Sequence, residues 1–161
     1  MQTDLPLQGF DARLDDVISW LVPIKALDGS AWSRIAVASA DASFRRYFRV
    51  TSDSGASAIV MDAPPPLEDV RPFLNVAQLL DDGGVYVPAR IATDETRGFS
   101  LLGDMGNATY LTALTSSQPP DPQPLFADAI ATLVRLQQID PLRARTPLGG
   151  YDAALLRREI N

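Results

Sequence analysis

The residues able to do chemistry are defined first by what is missing: the chain contains no histidine and no cysteine. That removes Ser-His-Asp and Cys-His catalysis, His- or thiolate-ligated zinc and the commonest general base at neutral pH. Any chemistry must come from carboxylates, Arg, Lys or the backbone. Three places concentrate such groups. Ala42-Ser43-Phe44-Arg45-Arg46-Tyr47-Phe48-Arg49-Val50 combines small residues at a tight turn with a run of guanidiniums. Small tip residues let backbone N–H groups approach an anion, and Arg suits planar phosphate recognition. Unliganded, the same residues read as a basic face on an exposed hairpin. Asp62 ends an apolar run, Ala58-Ile59-Val60-Met61-Asp62; beside phosphates a lone carboxylate is repulsive, so it needs Arg45, Arg46 or a divalent cation nearby. The third place is Leu101-Leu102-Gly103-Asp104-Met105-Gly106. There a strand runs into a glycine-rich turn, and the groups on offer are backbone carbonyls and amides, a pattern that any buried strand ending in such a turn shows.

Elements that could position these groups follow from periodicity. Phe10, Leu14, Val17, Ile18 and Leu21 recur at helical spacing and predict an amphipathic helix ending near Pro23. From Ser33 to Val50 the period becomes two, with Ile35 and Val37 in one run and Phe44, Arg46, Phe48 and Val50 in the next, which predicts a hairpin through Ala40-Asp41-Ala42-Ser43. A third strand covers Ser57 to Asp62, and Pro64-Pro65-Pro66 ends it. A helix beginning with Pro72 carries Phe73, Val76, Ala77 and Leu80 and stops at Gly83-Gly84. Two strands, Val85 to Thr93 and Gly98 to Gly103, complete a β-β-β-α-β-β order. Asn107 to Thr115 predicts a short helix, Ser116 to Pro124 a polar connection, and Phe126, Ile130, Leu133 and Val134 a strong helix. A last amphipathic stretch, with Leu155, Leu156 and Ile160, runs into Asn161 with no stop signal, so the expectation is a truncated chain.

Composition bounds the class. With 161 residues, 46% hydrophobic and 21% charged, the chain has the make-up of a folded domain, or of one lobe of a larger enzyme plus the start of the next. No apolar run is long enough to span a bilayer, and Met1 to Pro6 lacks the features of a signal peptide, which predicts a cytoplasmic protein without membrane contact. A net charge of -6 argues against a nucleic-acid surface.

Five antiparallel strands with one helix after the third is the arrangement of the small lobe of protein-kinase-like enzymes, an α+β fold. The local sequences resemble one subgroup more closely. Asp41 to Val50, Met61-Asp62-Ala63-Pro64-Pro65 through Glu68-Asp69 to Arg71-Pro72-Phe73, and Gly98-Phe99 through Leu101-Leu102 to Asp104-Met105-Gly106 resemble the bacterial anomeric kinases of N-acetylmuramate and N-acetylglucosamine, within the aminoglycoside-phosphotransferase-like superfamily. The likeness is good over Arg34 to Leu111. In that subgroup Met-Asp-Ala-Pro stands where protein kinases carry a lysine, and the position of Gly103 is typically acidic.

The resemblance implies a kinase-like lobe at 31–105, after a helical extension at 1–30 and before a hinge and first large-lobe helices at 106–161. It implies binding of ATP, with Ser43, Phe44, Arg45, Arg46, Tyr47, Val60, Asp62, Leu102, Gly103 and Met105 as contacts, and phosphorylation of a sugar. Mg2+ ligands and the catalytic Asp belong to the large lobe. The family's catalytic loop carries a His, which this chain lacks, so no catalytic residue is expected in it. An aminoglycoside- or choline-type kinase, or a non-catalytic α+β binding module, are the other readings.

Overall fold

A computed structural model describes residues 2–3, 11–40, 43–144, 147–150 and 152–160; Phe10, Asp41, Ala42 and Asn161 lie outside them, as do the side chains of Ala40 and Ile160. The element order is β1 (Gln2–Thr3), α1 (Ala12–Leu21), β2 (Trp32–Ala40), β3 (Arg46–Ser52), β4 (Ser57–Asp62), α2 (Val70–Asp82), β5 (Arg90–Asp94), β6 (Phe99–Gly103), α3 (Tyr110–Leu114), α4 (Pro122–Gln137), a 3-10 turn (Pro141–Arg143) and α5 (Ala153–Ile160). The fold is α+β and kinase-like. Its sheet has the order β1-β2-β3-β4-β6-β5. The five expected strands are antiparallel, and the two-residue β1 joins them in parallel, pairing Gln2 with Arg34 and Thr3 with Ile35. This sixth strand was not expected. Two residues are too few to show a period, and what places them is the open edge of β2.

The chain divides into two compact units, 1–71 with 88–116, and 72–87 with 117–161. In the first, α1 lies on one face of the sheet and makes its core. Asp11 caps the helix, its carboxylate accepting the Leu14 N–H at 3.0 Å, a contact that contributes about 1 kcal/mol. Pro23, which has no N–H to donate, follows the last turn. Leu14, Val17, Trp20 and Leu21 pack with Ile35, Phe48, Val50, Ala58, Val60, Phe99 and Leu101, and the Trp20 and Phe99 rings meet at 5.5 Å. Within the described part of the first thirty residues, α1 packs into the core of the sheet.

Element ends moved where proline chemistry intervenes. The fourth expected strand begins at Arg90 instead of Val85 because Pro88 cannot donate to a ladder. Conversely α2 starts two residues before Pro72. Asp69 accepts the Arg71 N–H at 2.9 Å, and a proline in the first turn removes no intrahelical bond.

The second unit holds most of α2, then α4 and α5. At the end of α2, Gly84 adopts φ +74° while the Val85 N–H bonds back to Leu80, a left-handed helix stop. Asp121 caps α4 and Pro122 opens it, two residues before the proline expected there. Phe126, Ile130, Leu133 and Val134 form the expected stripe on α4, and each stays about half exposed.

Candidate nucleotide site

Nine of the ten candidate residues fall into three groups, and the tenth, Tyr47, stands apart from them. Along β3, Phe48 and Val50 point into the α1 core, and Arg46 shares their face; Tyr47 and Arg49 take the other. Because Arg46 pairs in register with Asp62, and Phe48 with Val60, these four stand on the α1 side. Val60 and Asp62 are fully buried there. Neither side chain is presented on an open surface. The alternation that carries Val60 and Asp62 to α1 turns Ile59 and Met61 to the opposite face, the one shared by Tyr47.

Asp62 is the centre of an ion network. Arg13 on α1 donates from Nε at 2.8 Å to Oδ1, with its terminal nitrogen 2.6 Å from the same oxygen, while Arg46 donates at 3.0 and 2.7 Å to Oδ2. Arg46 reaches on to Asp11, the helix cap, and Arg13 to the Arg97 carbonyl at 2.6 Å. The Arg13 guanidinium lies 4.8 Å from the centre of the Phe99 ring, and that of Arg97 at 5.5 Å. The expected arginine beside Asp62 is thus Arg46, joined by Arg13, and Arg45 goes elsewhere. With both oxygens engaged and no solvent exposure, the Asp62 carboxylate has no position left for a metal ion. Among the described residues no group of three acidic side chains could hold one. Arg13 and Asp11 escape sequence reasoning because helical spacing makes them surface positions; only the unpaired Asp62 at a buried strand end signalled that a cation had to come from somewhere.

The turn before β3 forms the second group. Ser43 Oγ accepts the Arg45 N–H at 3.2 Å, which tightens the turn. The Phe44 N–H and Arg45 Nε both donate to Glu68, each at 3.2 Å, the first to Oε1 and the second to Oε2. Phe44 itself is 62% exposed. One backbone N–H and one guanidinium thus converge on a single carboxylate.

The third group lies at the end of β6. Leu101 and Leu102 are buried, and the Gly103 N–H donates to the Ala89 carbonyl at 2.7 Å. Met105 is 55% exposed, and its N–H has no partner among the described residues. What fixes this turn is a contact the sequence did not reveal. Asp104 accepts from Arg49 at 2.7 and 3.1 Å, from Ser57 Oγ and from the Gly106 N–H at 2.8 Å, and Arg49 also reaches Asn107 at 2.8 Å. Gly106, at φ +80°, supplies the backbone bend.

The Arg49 hydrogen bond, with those from Ser57 and Gly106, holds the Asp104 carboxyl down to about 2 against the cost of its partial burial. Its folded-state pKa lies below the unfolded value near 3.8, so the contact stabilises the fold above about pH 4 and is lost as pH falls toward 2. At this partly solvated edge the contribution is roughly 1 kcal/mol. Urea unfolding of the wild type and of Asp104→Asn should therefore differ by that amount at pH 7, and the difference should shrink on acidification to pH 2.5. A gap independent of pH would show that the Asp104 charge plays no part.

A hollow of about 300 Å³ in the second unit, lined by Asp82, Arg135, Gln138, Asp140 and Arg143 among others, contains none of the candidate residues. It balances two acids against two arginines at helix ends. No helix among the described residues is long and apolar enough to cross a membrane.

Residues 34–160 match the phosphotransferase enzyme family. The chain is 43% identical over 157 residues to an N-acetylmuramate/N-acetylglucosamine kinase of Pseudomonas putida, covering 98% of this chain and 44% of that protein. It is 41% identical over 160 residues to the kinase of the same name from Pseudomonas aeruginosa, covering 99% and 45%. A third of that name, from Neisseria meningitidis serogroup B, is 42% identical over 125 residues, covering 77% and 36%. The chain spans less than half the length of these curated relatives.

Proposed function

The chain belongs to the phosphotransferase enzyme family, and from that premise we propose that it is the nucleotide-binding, amino-terminal part of an ATP-dependent kinase acting on the anomeric hydroxyl of N-acetylmuramate or N-acetylglucosamine. The observation that supports the substrate class is the likeness to kinases of that name across nearly the whole chain. The same likeness supports the expected truncation, since the relatives are more than twice as long. In this reading the proton-accepting Asp and the Mg2+ ligands belong to the remainder of the full-length protein, and the 161 residues alone do not turn over.

Two of the three groups are assigned to the nucleotide. Ser43, Phe44 and Arg45 contact the phosphates, through the Phe44 N–H and the Arg45 guanidinium. Leu102, Gly103 and Met105 take the adenine, with the Gly103 carbonyl accepting and the Met105 N–H donating. The Arg49–Asp104 pair holds the turn of Gly103 and Met105 in place, and Tyr47, Ile59 and Met61 share one face of the sheet between the two. Val60, Asp62 and Arg46 support this arrangement from the α1 side without touching the ligand. Bound ATP supplies the transferable γ-phosphoryl group; the chain's own share is to bind and orient it.

Calorimetric titration of the full-length protein with ATP tests the assignment. Arg45→Ala removes one charge-assisted contact and is expected to weaken ATP binding about tenfold or more. Unchanged affinity would move the phosphates away from the turn.

A further inference from the structure

Three arginines stand on or beside β3, and the structure treats them differently. Arg46 and Arg49 are held by Asp62 and Asp104 through contacts of 2.7 to 3.1 Å, each using two guanidinium nitrogens. Among the described residues Arg45 has one anionic partner, Glu68, reached through Nε alone at 3.2 Å. The Phe44 N–H reaches the other oxygen of the same carboxylate, also at 3.2 Å. Charge-assisted contacts of this kind settle at about 2.7 to 2.9 Å when the partners are free to adjust. The Glu68 carboxylate therefore satisfies both donors at the long end of the range. It is delivered from a different segment, the connection after β4, where the Leu67 and Glu68 amides both bond to the Pro64 carbonyl and fix its approach. The Arg45 and Glu68 side chains keep 27% and 15% exposure, so solvent reaches the pair.

We propose that Glu68 is an internal competitor for the anion site of the 43–45 turn, so that a phosphate group binds there by exchange with the Glu68 carboxylate. The proposal rests on the assignment of that turn to the nucleotide phosphates. A phosphate presents two oxygens to the same backbone N–H and guanidinium, carries more charge than a carboxylate, and is not tethered to Pro64, so it can close both contacts to their preferred length. Until it arrives, Glu68 keeps the donors paired and the turn shaped. Glu68 thereby sets a threshold: weakly charged anions do not displace it, and a polyphosphate does.

The full-length protein is titrated with inorganic tripolyphosphate and, separately, with ATP, in the wild type, Glu68→Gln, Glu68→Ala, Arg45→Ala and the Arg45→Ala/Glu68→Gln pair. Glu68→Gln keeps the shape of the side chain and removes its charge, and it is expected to tighten both ligands about threefold to tenfold at low salt. Glu68→Ala should tighten them as well, and in the Arg45→Ala background the Glu68 change should have a smaller effect, because of the two contested donors only the Phe44 N–H remains. If Glu68→Gln and Glu68→Ala both bind tripolyphosphate no more tightly than the wild type, or more weakly, Glu68 does not compete and the proposal is overturned. The two ligands separate this from the functional reading. Tripolyphosphate tightened by Glu68→Gln, with no variant binding ATP, supports the exchange and defeats the nucleotide assignment. ATP bound by the wild type and unaffected by either Glu68 change defeats the exchange and leaves the nucleotide assignment standing.

Discussion

Asp62→Ala is expected to destabilise the fold by about 3 kcal/mol, near the lower end of the cost of breaking a buried ion pair from one side. Asp62 is fully buried, and its carboxylate is the common anchor of Arg13 and Arg46. Removing it strands two guanidiniums beside Phe99 and Phe48, whose rings already lie 4.8 and 5.4 Å from them. The side chains of Arg13 and Arg46 are 27% and 37% exposed, so each can turn partly to water, which keeps the cost from the top of the range. Replacing all three by apolar residues of similar volume, Arg13→Met, Arg46→Met and Asp62→Leu together, should recover most of the loss, because no buried charge is then left unpaired; Asp11, which loses Arg46, keeps its place at the water-exposed helix cap. Urea unfolding curves measure both. A triple variant as unstable as Asp62→Ala would mean that the network is needed for its geometry and not only for its charge balance.

The second large effect is expected at Gly98, on the turn joining β5 to β6. Gly98 has φ +74°, and a Cβ there would stand 1.9 Å from the Ala63 carbonyl oxygen and 3.1 Å from Pro65 Cδ. The same two backbones are joined by the Ala63 N–H to the Gly98 carbonyl at 2.8 Å, so separating them to make room breaks that bond. Left-handed backbone costs a non-glycine residue about 1 to 2 kcal/mol, and overpacking adds about 1 to 3 kcal/mol. Gly98→Ala should therefore lose about 3 kcal/mol or more. Gly55→Ala is the control, since Gly55 has φ +90° but nothing within 4 Å of the added carbon, and only the backbone term, about 1 kcal/mol, is expected. Equal losses in the two variants would show that the close approach to Ala63 is not what selects glycine.

Most of the lobe was legible because its elements carry their own period. The alternation of Phe48 and Val50, the helical spacing of Leu14, Val17 and Leu21, and the Gly83-Gly84 stop are local signals, and the structure has a strand, a helix and a helix end at those places. Side-chain direction was less legible. Val60 and Asp62 were chosen for their place on the third antiparallel strand, yet the face a residue takes depends on register with Phe48 and Arg46, a non-local fact. Partnerships across the chain were the least legible. Arg13 with Asp62, Arg49 with Asp104 and Arg45 with Glu68 are separated by 49, 55 and 23 residues, and spacing says nothing about pairs so far apart. Composition did point to their necessity, because a buried Asp and a crowded run of arginines each demand a counter-charge.

These pairings also order the arginines by role. In the proposed reading Arg46 and Arg49 brace the two ends of the candidate site from within the protein, and Arg45 is the one assigned to the ligand. The account therefore separates variants that unfold the lobe from variants that only weaken binding, a division that stability and affinity measured on the same protein will resolve.

The most direct test of the central claim is transfer itself. The full-length protein, incubated with ATP, Mg2+ and N-acetylglucosamine or N-acetylmuramate, is followed by phosphorus NMR. The account predicts a new sugar phosphate resonance coupled to the anomeric proton, growing in step with ADP. ATP left intact with either sugar, or phosphate appearing on another hydroxyl or only on an aminoglycoside or choline, would contradict it.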